Sequence, residues 1–88
     1  MTDRPVFDEI MARLSKAFEP VRLDLVDVSA AHAGHAGARQ GGESHFELTI
    51  QSSHFDGLSR LAAHRLIHQE LSDLLAGPVH ALQINLAK

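Results

Sequence analysis

The stretch His45-Phe46-Glu47-Leu48-Thr49-Ile50 alternates polar and apolar side chains. A period of two puts Phe46, Leu48 and Ile50 on one face and His45, Glu47 and Thr49 on the other, as in a half-buried strand. Such a strand must bury its apolar face against something, so its flanks decide the fold. Downstream, Gln51 to Gly57 reads as a turn, with Asp56-Gly57 as the breaker. A helix is predicted from Ser59, a suitable N-cap, to Ala76, with an apolar stripe of Ala63, Leu66, Ile67, Leu71 and Leu74. Gly77 ends it and Pro78 follows. Val79 to Leu86 alternates again, with His80, Leu82, Ile84 and Leu86 on one face.

Upstream, Phe7, Ile10, Met11, Leu14 and Phe18 recur at helical spacing, which predicts a helix over 5–18 opened by Pro5 and stopped by Pro20. Val21 to Leu25 alternates as a strand. Val26-Asp27-Val28 shifts the phase, so a bulge or strand end is expected near Leu25-Val26. Residues 29–44, rich in Ala, Gly and Ser, have no period and read as a flexible inter-strand loop. The order α-β-β-α-β rules out a doubly wound parallel sheet. It predicts an α+β fold, a three-stranded mixed sheet with helices on one face, formed as a single domain over 1–88.

The 88 residues carry a net charge of −3, with 44% apolar and 22% charged side chains. That composition suits a globular domain with a thin core. The acidic balance argues against a general electrostatic grip on nucleic acid. Cysteine is absent, which removes disulfides, thiolate metal sites and a thiol nucleophile. Seven histidines make imidazole the one transition-metal ligand present in quantity. The start, Met1-Thr2-Asp3-Arg4-Pro5, has no basic or apolar leader pattern, and no membrane span is expected. A cytoplasmic protein is therefore expected. Gly34, Gly37, Gly41 and Gly42 fit neither a dinucleotide nor a phosphate-loop pattern, and no enzyme is expected.

Three stretches, in order, resemble the BolA family: Ser44-His45-Phe46; Phe55-Asp56-Gly57-Leu58-Ser59 leading into Ala63-His64-Arg65-Leu66-Ile67-His68; and Val79-His80-Ala81-Leu82. The resemblance extends over nearly the whole chain. It implies an α+β fold similar to the KH type II arrangement. It also implies partnership with a monothiol glutaredoxin, a [2Fe–2S] cluster being shared between the two proteins. In that arrangement the glutaredoxin and glutathione supply thiolates, and the BolA-like partner supplies a histidine from the last strand and a second ligand from the first inter-strand loop. The positions that match here are His80 and, in the loop, His32 or His35, of which His32 aligns best. Alone, the chain is expected to be a monomer or a weak homodimer.

Each histidine also has a plain structural reading. His80 shares its predicted face with core residues, and a lone histidine there is usually just hydrogen-bonded; the resemblance reverses that balance. His64 and His68 lie one helical turn apart but lack a completing carboxylate or cysteine motif, so structural and solvated roles are expected. His45 and His54 are expected to serve structure or meet solvent. The rival function is a nucleic-acid-binding regulator, suggested by the KH-like arrangement, with Arg60, His64 and Arg65 as the contacts to DNA or a partner.

Overall fold

The computed structural model describes residues 4–29 and 43–87. Helix α1 (Pro5–Phe18) leads into strands β1 (Arg22–Asp27) and β2 (His45–Gln51), then a 3-10 turn (Ser53–Phe55). Helices α2 (Arg60–Glu70) and α3 (Ser72–Ala76) then carry the chain to β3 (Ala81–Leu86). The sheet order is β1-β2-β3, antiparallel between β1 and β2 and parallel between β2 and β3. A parallel pair requires a long crossover, and α2 with α3 supplies it.

The central strand follows its alternation from Phe46 to Ile50, whereas His45, expected on the polar face, is buried. Phe46, Leu48 and Ile50 are buried against Ile10, Leu14 and Phe18 of α1 and against Ile67 and Leu71, while Glu47 stays exposed. Asp24 and Val26 of β1, and Ala81, Gln83 and Asn85 of β3, are also exposed, so the helices cover one face of the sheet. This is the expected α+β, three-stranded mixed-sheet fold. Among the described residues no helix is long and apolar enough to cross a membrane.

Four other local expectations are corrected. No bulge interrupts β1, because its register with β2 runs unbroken from Arg22↔Gln51 to Asp27↔Phe46. Val26 simply faces solvent at 53% exposure, and Asp27 takes the inward position because its carboxylate is needed there as an acceptor. The predicted 59–76 helix divides at Leu71, whose backbone (φ −107°, ψ 16°) leaves the helical region while its side chain enters the core. Leu66 is 38% exposed and does not belong to the buried stripe, which is Ala63, Ile67 and Leu71.

The fourth correction concerns the last strand, which begins at Ala81 and not at Val79. The Val79 N–H donates to Leu74 O, and the N–H groups of His80 and Ala81 both donate to Ser44 O. The chain therefore bends before it joins the ladder. Val79 turns into the core and His80 turns out, the reverse of strict alternation.

Local chemistry holds the element ends. Ser59 Oγ accepts the Ala62 N–H at 3.1 Å and caps α2, as its position predicted. Gly57 has φ +79°, the left-handed conformation that a Phe-Asp-Gly turn needs. Gly77 serves differently, since a Cβ there would lie 3.3 Å from Asp73 O. Arg13 joins α1 to α3 through Asp73 (Nη2 to Oδ2, 2.9 Å), and the guanidinium holds that exposed carboxyl down to about 2.

Candidate functional site

Both described ends of the inter-strand segment converge on one end of the sheet. Asp27-Val28-Ser29 forms a short side-chain turn in which the Ser29 N–H donates to Asp27 Oδ1 at 2.9 Å. The other Asp27 oxygen accepts the Glu43 N–H, also at 2.9 Å. Glu43 in turn accepts the N–H groups of Val6 and Phe7 at 2.9 and 3.1 Å. Those are orphan donors of the first turn of α1, where Arg4 provides no side-chain cap, and a carboxylate is favoured there by the helix dipole. A single carboxylate thus caps α1 and anchors the segment. Ser29, Glu43 and Ser44, expected to belong to a flexible loop, are buried.

Burial pushes the Asp27 carboxyl up, but the hydrogen bonds from Ser29 and Glu43, with the charge of Arg4, outweigh it and leave it below the usual carboxylate range. A depressed value contributes stability that is full above the unfolded carboxylate pKa and is lost as pH falls through the folded one. Asp27→Asn should therefore lower stability at neutral pH and flatten its dependence on pH below about 5. Denaturant midpoints measured for both proteins across the acid range check this. Parallel profiles would show that Asp27 contributes nothing by its charge.

Ser29 Oγ accepts the N–H groups of Ser44 (2.9 Å) and His45 (3.1 Å). The Ser44 hydroxyl lies 2.8 Å from His45 Nδ1, and the Ser44 carbonyl accepts the His80 N–H at 2.7 Å. The imidazoles of His45 and His80 lie nearly parallel, with centroids 6.1 Å apart and planes 11° from each other. His45 is 8% exposed, whereas His80 is exposed. The result is a solvent-facing imidazole on a support of buried, hydrogen-bonded groups.

His32 and His35, the candidate loop ligands, lie outside the described residues. Among the described residues no group of three or more His, Cys, Asp or Glu side chains is gathered closely enough to hold a metal ion. The donor chemistry at this end is therefore an accessible imidazole on a chain without thiols.

The other candidate residues lie elsewhere. Arg60 opens α2 at the opposite end of the sheet, beside a groove of about 750 Å³ lined by Val21, Phe55, Leu58, Arg60 and Leu86. The length of β3 separates that end from His80 by roughly 20 Å at 3.3 Å per residue. His64 is half-buried and lies one turn from Arg60, while Arg65 is exposed and rotated by about 140° around the helix from Arg60. His68 and His54 are exposed, with His54 3.5 Å from Glu19. Sequence reasoning passed over Ser29, Asp27, Glu43 and the ring of His45. The signal it could have used is Asp-x-Ser on one side of the segment and Glu-Ser-His on the other.

Comparison with known proteins gives a consistent answer. A family model described as BolA-like protein matches residues 14–88. The chain is 48% identical over 80 residues to BolA-like protein 1 of Mus musculus, a match covering 91% of this chain and 56% of the mouse protein. It thus spans little more than half the length of that relative. A protein of Vibrio cholerae named DNA-binding transcriptional regulator BolA is 41% identical over 78 residues, covering 89% of this chain and 70% of that one. Among solved structures, the BolA domain of SufE1 from Arabidopsis thaliana superposes with a TM-score of 0.80 at 43% identity, covering 90% of this chain and 86% of that one.

Proposed function

This chain belongs to the BolA-like family, and from that membership we propose that it is a non-enzymatic cytoplasmic partner of a monothiol glutaredoxin that lends His80 to a shared [2Fe–2S] cluster. The second ligand in this reading is His32 or His35. The observation that carries the proposal is the placement of His80. It is an exposed imidazole whose backbone is bonded to Ser44, and Ser44 is bonded to Ser29. Both ends of the segment containing His32 and His35 are thus fastened beside it.

The donor set suits a shared centre. Imidazole nitrogen is an established ligand to one iron of a [2Fe–2S] centre, and a chain without cysteine needs thiolates from elsewhere. Exchanging thiolate for neutral imidazole reduces the negative charge at the cluster and raises its reduction potential. The role of this chain is to present an exposed nitrogen donor at the end of the sheet, where its backbone is held by Ser44.

The test mixes the protein with a cluster-loaded monothiol glutaredoxin and follows visible circular dichroism. Wild type should shift the spectrum, His80→Ala should remove most of the shift, and either His32→Ala or His35→Ala should weaken it. An unchanged spectrum with His80→Ala would overturn the ligand assignment.

The name of the Vibrio cholerae relative favours a second reading, a DNA-binding regulator acting through Arg60, His64 and Arg65. The two readings separate on salt and sequence position. DNA affinity carried by this face should fall steeply with ionic strength and with Arg60→Ala, and should ignore His80→Ala.

A further inference from the structure

Resting on the reading of His80 as a ligand, we infer that His45 is a positioning residue, whose buried ring holds the His80 imidazole in the orientation that binds. Among the described residues, the His80 side chain makes no hydrogen bond, and its ring contact is with His45. An exposed histidine otherwise samples several staggered χ1 wells. The two rings are nearly parallel at a centroid distance of 6.1 Å, within the range of favourable aromatic pairs, and His80 is exposed.

The support is itself buried and hydrogen-bonded. His45 is buried, its N–H is held by Ser29 Oγ at 3.1 Å, and its Nδ1 lies 2.8 Å from Ser44 Oγ. The Ser44 hydroxyl has one proton and two oxygen or nitrogen neighbours, His45 Nδ1 at 2.8 Å and Ser29 Oγ at 3.3 Å. Ser29 Oγ also accepts two backbone N–H groups, so the Ser44 hydroxyl sits between a fixed Ser29 oxygen and the His45 ring. The His45 Nδ1 is engaged by the Ser44 hydroxyl at 2.8 Å. Buried and held at Nδ1, the His45 ring supports the exposed ring of His80. Consecutive residues divide the work: Ser44 holds the backbone of His80 and His45 holds its ring.

If the ring is released into about three rotamer wells, one of them competent, apparent affinity falls about threefold. The test uses the free protein and three variants. His45→Leu fills the space without a flat face, His45→Phe keeps the flat face without the bond to Ser44, and His80→Ala removes the ligand. In the free protein, NMR couplings between Hα and Hβ of His80 should report one χ1 rotamer in wild type and His45→Phe, and averaging in His45→Leu. Titration with the cluster-loaded glutaredoxin should show about threefold weaker binding for His45→Leu, with the wild-type circular dichroism spectrum at saturation. His45→Phe should restore the affinity.

Averaged couplings for His80 in the wild type would overturn the inference, whatever the variants do. So would equal behaviour of His45→Leu and His45→Phe, or a changed spectrum at saturation, which would make His45 a ligand. A null result with His80→Ala sinks the ligand reading instead, and the NMR arm reports on ring support without it.

Discussion

Phe46→Ala should cost about 3–5 kcal/mol of folding stability, the range for removing a buried phenylalanine ring. Phe46 is 1% exposed near the start of the central strand, between Asp27 on β1 and Leu82 on β3, and its ring lies 6.5 Å from that of Phe7. Ladders on both sides prevent the strand from collapsing into the cavity, which places the cost towards the upper end. A chain of 88 residues has roughly 4–13 kcal/mol in total, at about 0.05–0.15 kcal/mol per residue. The variant should therefore be largely unfolded or melt at least roughly 12 °C lower. Thermal melts followed by far-ultraviolet circular dichroism decide it. Leu58→Ala is the control, since Leu58 is 42% exposed at the groove and should change stability by under about 1 kcal/mol. Equal melting of the two variants would contradict the assignment of the core.

Ser29→Ala should be the most damaging of the small polar changes. It removes one oxygen that serves two backbone N–H groups, those of Ser44 (0% exposed) and His45 (8% exposed). A buried donor left without an acceptor costs about 1–3 kcal/mol, so the pair should lose roughly 2–6 kcal/mol. Ser29→Thr keeps the hydroxyl and should recover much of the loss. Denaturant unfolding gives the size. Hydrogen exchange gives the location, because the Ser44 and His45 amides should be deprotected first. Uniform acceleration across the sheet, with no local excess at these two, would mean that Ser29 is not the anchor.

The site was legible only in part, for reasons that differ between residues. His80 stood out through the resemblance carried by Val79-His80-Ala81-Leu82, but its direction was misread. Alternation assumes a chain already in the ladder, and residues 79 and 80 precede it, bonded to Leu74 and Ser44. His45 was expected to serve structure or meet solvent; it is buried, and nothing local indicated which ring it would meet. Its partner is 35 residues away and comes alongside only because β2 and β3 are parallel neighbours. Glu43 looked like a loop residue, since its target is the start of α1, and a cap supplied from 36 residues away leaves no local pattern.

By itself, the sequence determined the element types, their order and the central core face, because period-two and helical spacings are local consequences of backbone geometry and apolar burial. It also determined that this chain brings imidazoles and no thiols. The tertiary structure decided what long-range contacts decide. Asp27 turns inward to bond Ser29 and Glu43, Leu71 breaks the helix to enter the core, and His80 faces outward beside His45. Each of these is a choice between polar satisfaction and apolar burial made by groups distant in sequence, and only the assembled sheet brings those groups within reach.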